Sequence, residues 1–111
     1  MRRKRKPDLP QGTLDLLVLK TLSLGAMHGY GIGQRISQLA QEMLTVEEGT
    51  LYPAIYRLEK RGWIRGEWGV SDNNRRARFY RLTRAGQRQL ASERSAWSAL
   101  TLIVGRILRA V

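Results

Sequence analysis

The chain has 111 residues, enough for one domain with a single core, and 42% hydrophobic residues with a mean hydropathy of −0.39 describe a soluble globular protein. Twenty Lys and Arg against nine acids give a net charge of +11, an excess that repels itself in a compact fold and points to a polyanionic partner, nucleic acid ahead of an anionic membrane surface. The chain has no cysteine, which excludes disulfides, thiolate metal sites and thiol catalysis and fits a reducing cytoplasm.

Residues 1–8 are charged, lack apolar anchors and contain Pro7, so they are expected to form a disordered basic arm. Arg2, Arg3, Lys4, Arg5 and Lys6 could lie in a minor groove or act only by raising local attraction. MRRKRKP looks like the start of a signal peptide, but Asp15 and Lys20 interrupt the apolar stretch behind it and no clean cleavage site follows. No segment approaches the roughly 20 apolar residues needed to span a bilayer. The expectation is a cytoplasmic protein with no membrane partner.

From about Thr13 to Leu24 the sequence TLDLLVLKTLSL predicts a helix that is apolar on most faces, with Asp15 near the positive end of its dipole. Such a helix must be covered on more than one side. Gly25 closes it, and a second helix is expected over Gly29–Glu42, with Ile32, Ile36 and Leu39 as its buried face. Its early glycines, Gly29, Gly31 and Gly33, suggest close packing against another backbone. They do not suggest a phosphate loop, because no strand is expected before GYGIG and no GK[ST] follows.

Thr45 to Glu48 reads as a capping box for a third helix. Leu51, Ile55 and Leu58 form its inner stripe; Thr50, Pro53, Ala54, Arg57 and Arg61 fall opposite, with Tyr52, Tyr56 and Lys60 at the flanks. Pro53 implies either a kink or a later start, and Gly62 is a natural stop. A strand over Trp63–Trp68, a turn over Gly69–Asn74 and a returning strand over Arg78–Leu82 follow. A last helix runs from about Arg84 to the end. Along it Leu90, Trp97, Val104 and Val111 recur every seven residues, joined by Leu100 and Ile107 in an a/d seam that Glu93 interrupts. That seam predicts helix pairing.

Gly49–Gly86 thus has the shape of a winged helix, a helix for a DNA major groove followed by a basic hairpin for the flanking backbone. Residues 56–111 carry thirteen of the twenty basic side chains and four of the nine acids. Thr50, Tyr52 and Arg57 are candidates for base edges; Lys60, Arg61, Arg75, Arg76 and Arg78 are candidates for phosphates. Arg84, Arg88 and Arg94 read better as solvated charge. No active site is visible: His28 is the sole histidine and reads as a capping or surface residue, and Glu47 and Glu48 are helix-start charges. No enzyme activity, cofactor or metal site is expected. An RNA-binding protein would be expected to show a sheet with exposed stacking aromatics. A pure protein-interaction module would leave the basic wing unused.

LDLLVL (Leu14–Leu19), HGYGI (His28–Ile32), GTLYPAIYRLEKRGWI (Gly49–Ile64) and RRARFYRLTRAGQRQL (Arg75–Leu90) resemble the PadR family of bacterial transcriptional regulators over about residues 9–97. The resemblance implies a mainly α fold with a small β-hairpin (α+β), a winged helix-turn-helix over 9–86 and a C-terminal dimerisation helix over 87–111. It implies a homodimer held by the C-terminal helix packing against the first helix of the partner, and commonly repression of transcription. With the a/d seam at Leu90, Leu100, Val104 and Ile107 as the dimer seam, the expectation is a repressor on a pseudo-palindromic operator in double-stranded DNA. The family motif falls on Gly49, Thr50, Leu51, Tyr52 and Pro53 of the reading helix and on Tyr80 of the wing; Tyr30 of HGY is expected to be buried at a helix interface. Trp97, eleven residues after Gly86, matches a tryptophan that in multidrug-sensing members stacks on flat aromatic effectors at the dimer centre. Its alternative is a plain a-position core residue. Because the chain stops soon after this helix, the resemblance is to the short type, with no separate ligand domain.

Overall fold

The computed structural model describes residues 9–10 and 12–111; the expected basic arm over 1–8 lies outside them. Four helices and three strands follow in the order α1 (Thr13–Ser23), β1 (Met27–His28), α2 (Gly29–Leu39), α3 (Glu48–Lys60), β2 (Ile64–Val70), β3 (Arg76–Leu82) and α4 (Arg84–Leu108). The sheet is antiparallel with order β1-β3-β2. Among the described residues no helix is long and apolar enough to cross a membrane.

The apolar character of α1 is explained by its place. It packs against α2, α3, α4 and β3, and buries Leu14, Asp15, Val18, Leu19, Thr21 and Leu22. Thr21 tolerates this because its hydroxyl donates to the Leu17 carbonyl at 2.7 Å. Ile32 and Ile36 of α2, Leu51, Ile55 and Leu58 of α3, Ile64, Tyr80 and Leu90 complete the core. Ala54, expected on the outer face of α3, is fully buried: with Leu51, Ile55 and Leu58 it makes the i, i+3, i+4, i+7 stripe of one face.

Helix ends follow local chemistry. His28 is the N-cap of α2, its Nδ1 accepting from the Gly31 N–H at 3.0 Å. Tyr30, expected at a helix interface, is exposed instead. It stands two positions from buried Ile32, about 200° round the helix, and its ring stacks beside that of His28. α2 ends at Leu39 rather than Glu42, because Gln41 and Glu42 adopt left-handed φ of 52° and 63°. Glu42 N–H donates to the Ser37 carbonyl at 2.9 Å and Gln41 N–H to that of Gln38 at 3.0 Å, the paired bonds of a Schellman cap.

The same cap ends α3, with Gly62 at φ +77°, Trp63 N–H on the Leu58 carbonyl at 3.1 Å and Gly62 N–H on that of Glu59 at 3.0 Å. At its start, the capping box expected at Thr45 is not the cap. Glu47 is the N-cap, its carbonyl taking the N–H groups of Thr50 and Leu51 at 3.0 and 2.9 Å. Glu48 is therefore the first helical residue, too early to reach back as a box requires. The helix starts later than the box suggested, and Pro53 still falls inside it.

The hairpin is longer than expected, pairing Ile64↔Leu82 through Val70↔Arg76. β1, which has only two residues, was not legible; it pairs Met27↔Tyr80 and His28↔Phe79. Thr83 caps α4 by accepting the Gly86 N–H at 3.0 Å, and its hydroxyl donates to the Gly62 carbonyl at 2.7 Å. One threonine thus fixes the end of α3 to the start of α4.

Candidate nucleic-acid interface

Three long-range contacts set the rotation of α3. On one flank Arg57 donates through Nη2 to Oδ1 of buried Asp15 in α1 at 2.9 Å. On the other, Glu59 binds Arg78 of β3 through a short ion pair. In the second turn Tyr52 lies on the backbone of Gly29, where a Cβ would come within 2.6 Å of its ring. Gly29 is therefore glycine to admit a tyrosine. With these flanks engaged, Gly49, Pro53, Tyr56 and Lys60 form the crest of the helix, four exposed positions at i, i+4, i+7 and i+11.

The candidate residues therefore stand in distinct surroundings. Thr50 is exposed beside the Asp15–Arg57 pair, in a cleft also lined by Leu44 and Val46. Tyr52 is half-buried, and burial first, then Glu48 and Tyr56, raise its hydroxyl pKa above the usual tyrosine value. Arg57 spends a donor on Asp15 yet keeps half its side chain exposed; with five donors, a guanidinium can serve two acceptors. Lys60 is exposed on the crest, and Arg61 lies over the Trp63 ring at 5.1 Å.

In the hairpin, Arg75 is exposed in a turn held by the Ser71 N–H on its carbonyl at 2.8 Å. Arg76 covers the ring of Trp68 at 4.6 Å. Arg78 is the most engaged of all. Its bond to Glu59, above all, holds its guanidinium even more firmly protonated than usual. Arg57, Lys60, Arg61, Arg75 and Arg76 are all exposed, on a helix and a hairpin that the Glu59–Arg78 pair ties together.

The model of the "Transcriptional regulator PadR-like family" matches residues 18–92. The chain belongs to that family. Over 93 residues it is 32% identical to "Transcriptional regulator Rv3488" of Mycobacterium tuberculosis, covering 84% of this chain and 83% of that one. A transcriptional regulator structure from Clostridium thermocellum superposes with a TM-score of 0.81 at 28% identity, covering 89% of this chain and 96% of its own. A PadR family regulator from Eggerthella lenta gives 0.77 at 33% identity, covering 91% and 86%. These relatives and neighbours are transcriptional regulators rather than enzymes, and the winged-helix α+β fold is theirs as well.

In this PadR-like chain the C-terminal helix has two environments. Leu90, expected in the dimer seam, lies instead in the core of the chain itself. From Arg94 to Val111 every side chain is exposed, with only Gly105 partly covered. Trp97, Leu100, Val104 and Ile107 are among the exposed ones. Trp97 and Leu100 line a groove against the start of α1, with Pro10, Gly12, Leu16 and Glu93. Among the described residues no group of three or more His, Cys, Asp or Glu could hold a metal ion.

Glu93 is the uncomfortable member of that groove. Its Oε2 is buried without a hydrogen-bond partner, and burial, then the Asp15 charge, raise its pKa, against a weaker opposing pull from Arg61. A carboxyl whose folded pKa lies above its unfolded one destabilises the fold where it is ionised, above the folded pKa. That penalty vanishes below the unfolded value. Glu93→Gln should therefore raise the Tm at neutral pH, with the gain fading as pH falls through the raised pKa and the ordinary carboxylate range. Thermal melts of both proteins at matched concentration across that range test this, and a gain that persists unchanged in acid would contradict it.

Two exposed aromatics are not among the sequence-derived site residues. Tyr56, expected at a flank of α3, is 62% exposed on its crest, where the spacing from Leu51, Ile55 and Leu58 places it. Trp68 is 59% exposed on the hairpin; alternation from Ile64 gives its face, but not where the core stops.

Proposed function

We propose that this PadR-like chain is a homodimeric repressor that binds a pseudo-palindromic operator in double-stranded DNA. The observation that carries the reading is the set of exposed basic side chains on α3 and the hairpin, two elements braced at Asp15–Arg57 and Glu59–Arg78. A helix enters a major groove about 12 Å wide, and two copies would read half-sites about one helical turn apart or a multiple of it. In this mechanism residues 9–86 form the DNA-binding unit and 87–111 the dimerisation helix. Thr50, Tyr52 and Arg57 face base edges; Lys60, Arg61, Arg75 and Arg76 take phosphates, and Arg78 braces the wing through Glu59. The exposed apolar stripe of α4 supports pairing with a second copy, through Leu100, Val104 and Ile107 beyond the part that Leu90 anchors. A small flat aromatic effector at the dimer centre would meet Trp97 in the groove beside α1. The protein acts in the cytoplasm.

Selection of bound sequences from random duplex DNA tests the reading, with a two-fold related motif as the expected product and no enrichment as its refutation. Arg76→Ala should weaken binding to all duplexes alike and reduce the magnitude of the salt slope by about one unit, the share of one phosphate contact. Loss of preference at a single base position, with the slope intact, would remove Arg76 from the phosphate set.

A further inference from the structure

The inner face of the hairpin continues beyond the core. Directly opposed pairs share a face, so Ile64–Leu82, Gly66–Tyr80, Trp68–Arg78 and Val70–Arg76 lie on one side. Ile64 and Tyr80 are buried and Trp68 is exposed: the core ends at the second of these pairs, and the indole stands outside it. An indole left in water on a two-stranded ribbon adds nothing to the core, and large exposed apolar groups usually mark contact sites.

Its neighbours are cations. The Arg76 guanidinium sits 4.6 Å from the ring centroid and that of Arg78 6.0 Å away. Gly66 makes room for the second approach, since a Cβ there would meet the Arg78 guanidinium at 2.5 Å from Nε. Arg78 is neutralised by Glu59, whereas no acid of the described residues pairs with Arg76. The order Glu59, Arg78, Trp68, Arg76 thus runs from the rigid α3 to the hairpin tip, and only its last member has a free charge to offer.

We propose that Trp68 is a positioning residue for DNA binding: its indole face holds the Arg76 guanidinium ready for a backbone phosphate. This rests on the reading of the hairpin as a DNA-gripping wing. A free arginine at a loop tip samples many rotamers and loses that freedom on contact. One already stacked on a ring has lost most of it, and the guanidinium edge stays open to hydrogen-bond an anion.

The test uses the full chain and a fluorescent mixed-sequence duplex of about 30 base pairs, long enough for two successive half-sites, with affinity measured at several salt concentrations. Trp68→Ala should weaken binding about three- to fivefold, the worth of an exposed cation–π contact, with the salt slope unchanged because the phosphate contact is still made. Trp68→Phe, which keeps a π face, should stay within about twofold of the parent. Arg76→Ala should reduce the slope by about one unit, and the double variant Trp68→Ala/Arg76→Ala should bind like Arg76→Ala alone.

Parental affinity in Trp68→Ala, or losses that add in the double variant, would overturn the proposal. So would a fall of two slope units in Trp68→Ala, which would make the residue a support of the whole hairpin. A parent protein with no salt-dependent affinity for the duplex would instead overturn the wing reading and this proposal with it.

Discussion

Gly86→Ala is expected to destabilise the protein by about 3 kcal/mol or more, although the same exchange inside most helices stabilises by up to about 1 kcal/mol. Gly86 lies in the first turn of α4, where a Cβ would fall inside the contact radius of the Trp63 carbonyl oxygen, 2.8 Å from Leu82 Cδ1 and 2.9 Å from the Trp63 carbonyl carbon. Neither side can yield cheaply. The Trp63 carbonyl accepts the Thr83 N–H at 3.1 Å, and Thr83 binds Gly62 and Gly86 at once. Relief of the clash therefore breaks the junction between α3 and α4, and with it the placement of the hairpin. For a domain of this size, 3 kcal/mol corresponds to a fall in Tm of roughly 15 °C. Gly105→Ala is the control, because its Cβ would meet only the flexible Arg109 side chain, at 3.1 Å from Nη1. That variant should be as stable as the parent or up to about 1 kcal/mol better. Melting all three proteins at one concentration decides the matter, and a Gly86→Ala protein as stable as its parent would refute the close-approach argument.

The glycine contrast shows what was legible in the sequence and what was not. Helix positions and most of each buried stripe were readable because they repeat locally: Ile32 and Ile36, then Leu51, Ile55 and Leu58, are all core, whereas Leu39, expected on the same face of α2, is exposed at that helix's last turn. Gly62 and His28 were readable because caps are local chemistry. The same periodicity, applied strictly, would have placed Tyr30 opposite Ile32 and Ala54 beside Leu51. Long-range pairs were beyond any pattern. Asp15 and Arg57 are 42 residues apart in sequence, and nothing in the local charge of α3 marks Arg57 as the partner of a buried acid. Arg78 looked free at the start of a strand and is held by Glu59 instead. β1 exists only because β3 offers an edge to Met27 and His28. Charge composition located the basic face; which arginines on it remain available was a tertiary question.

Leu100→Glu with Ile107→Glu is expected to convert the proposed dimer into monomers and to lower DNA affinity steeply, while leaving the protomer folded. Leu100 is 52% and Ile107 68% exposed, so neither contributes a buried side chain to the protomer's own core. If the stripe pairs with its own copy, each position is lost twice, because a two-fold interface uses the same patch on both chains. Burial of such a side chain is worth about 1.5–3 kcal/mol, so one position on both chains accounts for about 3–6 kcal/mol before any penalty for placing carboxylates in the seam. At 1.4 kcal/mol per tenfold, one position alone weakens the dimer by about two to four powers of ten. Ser98→Glu, one residue beyond the a-position Trp97 and off the stripe, adds the same kind of charge and should leave the dimer intact. Sedimentation separates the outcomes, and circular dichroism checks that the protomer fold survives. DNA affinity should fall with the dimer, because a monomer forfeits the effective concentration that makes its second half-site encounter nearly intramolecular. Monomers that bind duplex DNA as tightly as the parent would show that one α3 and one wing suffice, and a variant that sediments unchanged would show that α4 does not pair through this stripe.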